Sequence, residues 1–242
     1  MILDNDDKTI SAMNFLIYSY FSISMEDTSE QIIDAVIKRS YRDAASHVLS
    51  FKEEKKYTAG FTEDEREVAK INAKKEASDK IKAYIEQLVT NKIEDYDKNW
   101  HKNLCDDLVK IYGKYEQYQN KEKRFTCGIA QKWVNMSVKY IYLLCYLFNY
   151  MDSGENEFSQ KYAEMIEKYM HCFHIPLDSY MYRAIEQELK INKISKVWSK
   201  VDDYEEYSTY QKAVRENVPE GKTPIDWENK VWIKEAKKTK KD

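Results

Sequence analysis

Apolar residues recur along most of this chain at three- and four-residue steps, the period of helices that bury one stripe. Between Phe125 and Tyr150 the sequence is FTCGIAQKWVNMSVKYIYLLCYLFNY, and the stripe is Ile129, Trp133, Met136, Tyr140, Leu143, Leu144 and Leu147. By Tyr140 apolar side chains reach nearly every face, which predicts a central helix over 126–150 with Thr126 as its cap. Upstream, KTISAMNFLIYSYFSIS (8–24) reads as an apolar helix packed in the core. Thr28 and Gln31 have capping-box spacing, and the helix they open runs to about Phe51. Its inward stripe is Ile32, Ile33, Val36, Ile37, Ala44 and Val48, with Lys38, Arg39 and Arg42 beside or opposite it.

Residues 52–62 read as a loop. Thr62 and Glu65 then open a strongly charged helix over 63–90, with a thin seam of Val68, Ile71, Ala77, Ile81, Ile85 and Leu88. The whole 52–92 stretch is therefore expected as a charged, projecting element that touches the body along one side. Residues 93–119 are helical again, with Trp100, Leu104, Leu108, Ile111 and Tyr115 inward. A turn at 151–159 precedes a helix from about Gln160 to Met170. Pro176 forces an extended piece at Ile175, so Asp178 stands near the next helix start, and Asp202 or Asp203 starts a further one. The tail holds Trp227 and Trp232 and ends in a basic run, 234–242, expected to fray. No internal repeat and no series of strands is visible. The fold class predicted is all-α: a single compact multi-helix domain, 1–242, around helix 126–150.

Composition sharpens this reading. Five glycines and three prolines in 242 residues leave room for long elements and few tight turns. A net charge of −3 gives no global signal for nucleic acid, so such binding needs a local patch. Lys121, Lys123, Arg124, Lys132 and Lys139 supply one around the entrance of the central helix. The four cysteines form no CxxC pair, and Met1 is followed by Asp4, Asp6 and Asp7, unlike a secretory leader. Reduced thiols in a cytoplasm are the expectation. The apolar run 139–150 is too short and too rich in tyrosine to span a bilayer, so no membrane partner is expected.

Lys132 and Lys139 sit inside the apolar helix. A lysine there either carries its amine to water along its stem or has a chemical reason to be present. In chain order the relevant segments are Gly128-Ile-Ala-Gln-Lys132-Trp-Val-Asn-Met136 and His174-Ile-Pro-Leu-Asp178-Ser-Tyr-Met-Tyr-Arg183. Together they resemble the catalytic segment of the helix-hairpin-helix DNA glycosylases, particularly the bifunctional 8-oxoguanine branch. There a glycine turn opens a helix bearing a lysine nucleophile near its start, and a later V-P-x-D turn places an aspartate at another helix start. The resemblance implies that Lys132 is the nucleophile, that Asp178 assists departure of the base, and that Gly128 belongs to the hairpin. It covers about a quarter of the chain. The family's second hairpin glycine is missing here, and Lys132 and Asp178 are more than twice as far apart as in the family, which requires a helical insertion near 151–170.

On that resemblance Gly128, Gln131, Lys139, Arg124 and Arg42 are candidates for nucleic-acid contact, and Trp133, Tyr180 and Tyr182 for stacking on an extruded base. Excision of a damaged or modified base from DNA, with possible strand cleavage, needs neither a metal nor a cofactor. A second resemblance is carried by Arg42-Asp-Ala-Ala-Ser-His47, an R-x4-H pattern similar to that of the all-helical HEPN ribonucleases. It implies phosphate stabilisation by Arg42 and proton transfer by His47. A non-enzymatic helical protein that binds a nucleotide or partner in a phage–host conflict is the third reading. His171, Cys172 and His174, with Cys127 or Cys145, lack the spacing of a structural zinc site. The sequence leaves oligomeric state open.

Overall fold

The structure is a computed structural model and describes residues 7–52, 60–90, 93–152 and 154–239. These residues are mostly helical with no strand among them, as the hydrophobic periodicity predicts. Nine α-helices are described: α1 (Asp7–Phe21), α2 (Ser29–Ala45), α3 (Glu63–Val89), α4 (Asn103–Gly113), α5 (Cys127–Met151), α6 (Glu157–Tyr169), α7 (Ser179–Ala184), α8 (Tyr204–Asn217) and α9 (Pro224–Thr239). Wider π-helical turns lead into α4 (Tyr96–Lys102) and continue α7 (Ile185–Leu189), and a 3-10 turn spans Trp198–Lys200.

Helix α5 is the axis. Thr126 caps it by accepting from the Ile129 amide, and every residue from Cys127 to Asn135 is buried. Helices α2, α4 and α6 and the Trp198–Lys200 turn pack around it, and α7 packs against α9. The capping boxes Thr28–Gln31 and Thr62–Glu65 are both formed, so the starts of α2 and α3 are set by local sequence.

Several expectations change: α2 ends at Ala45, short of Phe51, and 93–119 divides into the Tyr96–Lys102 turn, α4 and a 3-10 turn at Glu116–Tyr118. In α1 only Ile17 is buried, whereas Phe15, Leu16 and Tyr18 are largely exposed. A helix at the rim touches the body along one stripe, here Ile10, Met13, Ile17 and Phe21, and the other apolar residues point off it. In α3 the buried seam is Ala69, Ala73, Ala77, Ile81, Ile85 and Leu88, while Val68 and Ile71 face solvent. The small alanines let α3 lie close along α2 and α4, so it is packed rather than projecting. Residues 53–59, 91 and 92 of the expected loop and projecting element lie outside the described residues. Helix α6 begins at Glu157 because Asn156 caps it. The tail expected to fray from 234 is helical through Thr239, with Glu235 buried.

A buried polar chain ties α5 to the segments around it. The Asn135 amide donates to Gln131 Oε1, the Ile175 carbonyl and the Tyr207 hydroxyl. Its Oδ1 therefore accepts from His101 Nε2, 2.8 Å away, which leaves His101 Nδ1 to accept from Tyr204. His174 contacts Tyr207 through Nδ1 and Asp97 through Nε2, at 2.9 Å each. Arg215 closes the far end on Asp97. Burial holds both imidazoles below the ordinary histidine range, so they are neutral donor–acceptors in the core.

Candidate active site

Pro176 ends an extended segment and delivers Asp178 to the start of α7. There one carboxylate oxygen, Oδ1, accepts from the amides of Tyr180 and Met181 at 2.9 Å. The other, Oδ2, is 3.8 Å from Lys132 Nζ and accepts from Trp232 Nε1 at 3.2 Å. Lys132 leaves α5 on its second turn, with its amine 4.3 Å from the centroid of the Trp198 ring. The two side chains are only 10% and 18% exposed. The lysine and the aspartate singled out in the sequence thus face each other.

Both open into a cleft of about 950 Å³, near the upper end of about 300–1,000 Å³ common for ligand sites. One face of α5 forms its floor: Lys132, Met136, Lys139, Tyr140, Leu143 and Leu147. The end of α1 and the last turns of α2 form one wall, and Pro176 and Asp178, just ahead of α7, form the other with α9. On the α2 side Tyr140 donates to Asp43 at 2.5 Å and pairs with the Tyr20 hydroxyl at 2.8 Å. Arg39 lies 3.8 Å over the Tyr20 ring and 3.2 Å from Asp43. On the α9 side Lys139 is hydrogen-bonded and ion-paired to Glu228.

Burial pushes the Lys132 amine below the ordinary lysine range. Asp178, Asp43 and Glu228 pull it back up in part, and Lys139 adds repulsion. Burial raises the Glu228 carboxyl, and the Lys139 contact opposes that rise. The site therefore combines a desolvated amine, a fixed carboxylate and apolar walls. It suits attack by an amine on an electrophilic carbon that develops positive charge.

Other candidates sit elsewhere. The amide of Gly128 donates to the Val201 carbonyl at 2.7 Å, so it cannot cradle a phosphate. A Cβ there would lie 1.9 Å from the Trp198 carbonyl oxygen: the glycine admits the crossing Trp198–Lys200 turn. Gln131 is buried and bonds the Gly128 carbonyl. Trp133 is fully buried and donates to the Ile37 carbonyl, and Tyr182 packs edge-on to Tyr210, so neither presents a face to a base. Tyr180 is half-buried against Trp232. Arg124 pairs with Asp202 and Glu116 outside the cleft. Arg42 and His47 are both exposed and both line the same cleft. His174 is committed to Tyr207 and Asp97, and no group of three or more metal-ligating side chains occurs among the described residues.

Sequence reasoning missed Trp232, Glu228 and the Tyr20–Tyr140–Asp43 group. The available signal was the inward stripe of α9, Ile225, Trp227, Glu228, Val231 and Glu235, with Trp232 exposed beside it at the cleft. Two buried glutamates interrupt its apolar pattern and make it resemble a solvated tail.

No family model matches the chain, and no curated protein or solved structure matches it. Among the described residues no helix is long and apolar enough to cross a membrane.

Proposed function

We propose that this protein acts on nucleic acid, DNA being favoured, as a base-excising glycosylase with lyase activity. Lys132 is its nucleophile and Asp178 its charge-stabilising carboxylate. The observation that supports this most is the meeting of a desolvated amine and a carboxylate, 3.8 Å apart, at the wall of a cleft wide enough for an extruded nucleoside. Burial increases the neutral fraction of the amine, the form that attacks.

In this reaction the Lys132 nitrogen bonds to C1′ as the C1′–N bond breaks. The base leaves with the bonding electron pair and gains a proton. Opening of the sugar ring and loss of the amine proton leave an imine at C1′. Loss of a proton from C2′ then expels the 3′ phosphate and cuts the strand. Asp178 faces the carbon where positive charge builds, and its two amide bonds keep it in place. Trp232, which lines the cleft, takes the base-stacking role that the sequence gave to Trp133, Tyr180 and Tyr182.

Strand scission of a duplex carrying one abasic site tests this reading, because the abasic aldehyde bypasses the unidentified base. Lys132→Gln should lose at least about a hundredfold in scission rate, roughly the smallest effect expected of a chemical participant. Scission at the wild-type rate in that variant overturns the assignment. The exposure of Arg42 and His47 on the same cleft supports a second reading, RNA cleavage. That reading is favoured if RNA is cut, the cutting is lost in His47→Ala, and it is retained in Lys132→Gln.

A further inference from the structure

Helices α2 and α3 pack side by side. Each carries two cations one turn apart: Lys38 and Arg42 on α2, Lys70 and Lys74 on α3. Further along α3 the lysines are matched by acids, Lys75 with Asp79, Lys80 with Asp107, and Lys82 with Glu30 and Asp34. At this end the balance changes. Lys70 is held by Glu67, but Lys38, Arg42 and Lys74 have no ion pair among the described residues. Lys74 is half-buried, with its amine 4.7 Å over the Tyr41 ring. Burial pushes that amine below its ordinary range, and Lys38, Lys70 and Arg42 push it further, so the four cations crowd one another. Arg42, with Ser46 and His47, also lines the cleft that holds Lys132. The cationic ridge is therefore continuous with the candidate active site.

Such a ridge is complementary in charge to a polyanion. One helical turn separates the two cations of each helix by about 6 Å along its axis. A nucleic-acid strand rises about 3.4 Å per nucleotide and also winds about its axis, so successive phosphates stand farther apart than that rise and each pair can meet neighbouring phosphates. We propose that Lys38, Arg42, Lys70 and Lys74 form a phosphate track that carries a DNA strand into the Lys132 cleft. The track rests on the reading of nucleic acid as substrate. It places the missing hairpin's phosphate-binding work on α2 and α3.

The test uses the full chain and a fluorescein-labelled DNA duplex with one abasic site, with binding followed by anisotropy over a range of salt. The wild type should bind with affinity falling steeply as salt rises. Lys38→Gln/Lys74→Gln should bind more weakly at every salt concentration, with the log–log salt slope shallower by about 2, one per lost phosphate contact. Lys38→Gln alone should lower the slope by about 1. Lys110→Gln/Lys212→Gln, on α4 and α8 away from the cleft, should leave the slope where it was. Far-UV circular dichroism confirms that each variant is folded. An unchanged slope in the track variant overturns the proposal. So does an equal drop in the control pair, or wild-type binding to anionic phospholipid vesicles without binding to the duplex. Binding through the track without strand scission upholds the track and removes the Lys132 chemistry, so the two ideas fail separately.

Discussion

Gly128 shows how one residue can hold a site together without entering it. Its missing side chain admits the Trp198 carbonyl, and the Trp198 ring backs the Lys132 amine. Gly128→Ala must displace that turn, because the obstructing atoms are backbone. The expected loss is about 3 kcal/mol in chemical denaturation, at the upper end for overpacking. A stability within about 0.5 kcal/mol of wild type would contradict this account. At this scale the sequence was legible in part. Lys132 and Asp178 were visible because a lysine within an apolar helix and an aspartate two residues past a proline are each unusual. Gly128 was recognised as special, but its reason is a close crossing by residues about 70 positions away, which local pattern cannot express. Trp133 and Tyr182 were read as ligand surfaces because sequence shows aromatic character and not exposure.

At the scale of elements, the cleft depends on a clasp between α5 and α9. Lys139 and Glu228 meet there with side chains 11% and 2% exposed. Removing one member of a buried pair strands the other charge, so Glu228→Gln should cost about 3 kcal/mol. Lys139→Met/Glu228→Gln should recover most of that loss, and a double-mutant cycle with no coupling would refute the clasp. Helix α9 also marks where legibility failed. Glu228 and Glu235 occupy inward positions, so a buried helix carried the composition of a basic, solvated tail. Helix α1 failed in the opposite direction: Phe15, Leu16 and Tyr18 suggested burial, yet one contact stripe was all its place at the rim allowed. The starts of α2, α3 and α5 were readable from their caps, Thr28, Thr62 and Thr126, whereas the expected stripe of α3 was only partly the buried one.

For the whole molecule, the buried histidines make stability depend on pH. Burial depresses both His101 and His174, so the unfolded chain binds protons near pH 6.5 that the folded chain refuses. Their contribution is complete above about pH 6.5 and is lost as pH falls below it, by at most about 1.4 kcal/mol per unit for each histidine. The urea midpoint should therefore fall between about pH 6.5 and 5, and His101→Gln should flatten that fall; a midpoint constant over this range would contradict the neutral assignment. The same polar chain anchors α5 to the extended segment that delivers Asp178, through Asn135 and Gln211 to Ile175. The central claim is that Lys132 is a reactive amine held against Asp178. Borohydride trapping on an abasic duplex, followed by mass-spectrometric mapping of the modified peptide, tests it most directly. The expected result is a single adduct on Lys132 that disappears in Lys132→Gln. An adduct confined to surface lysines or the terminal amine, or one undiminished in that variant, would contradict it.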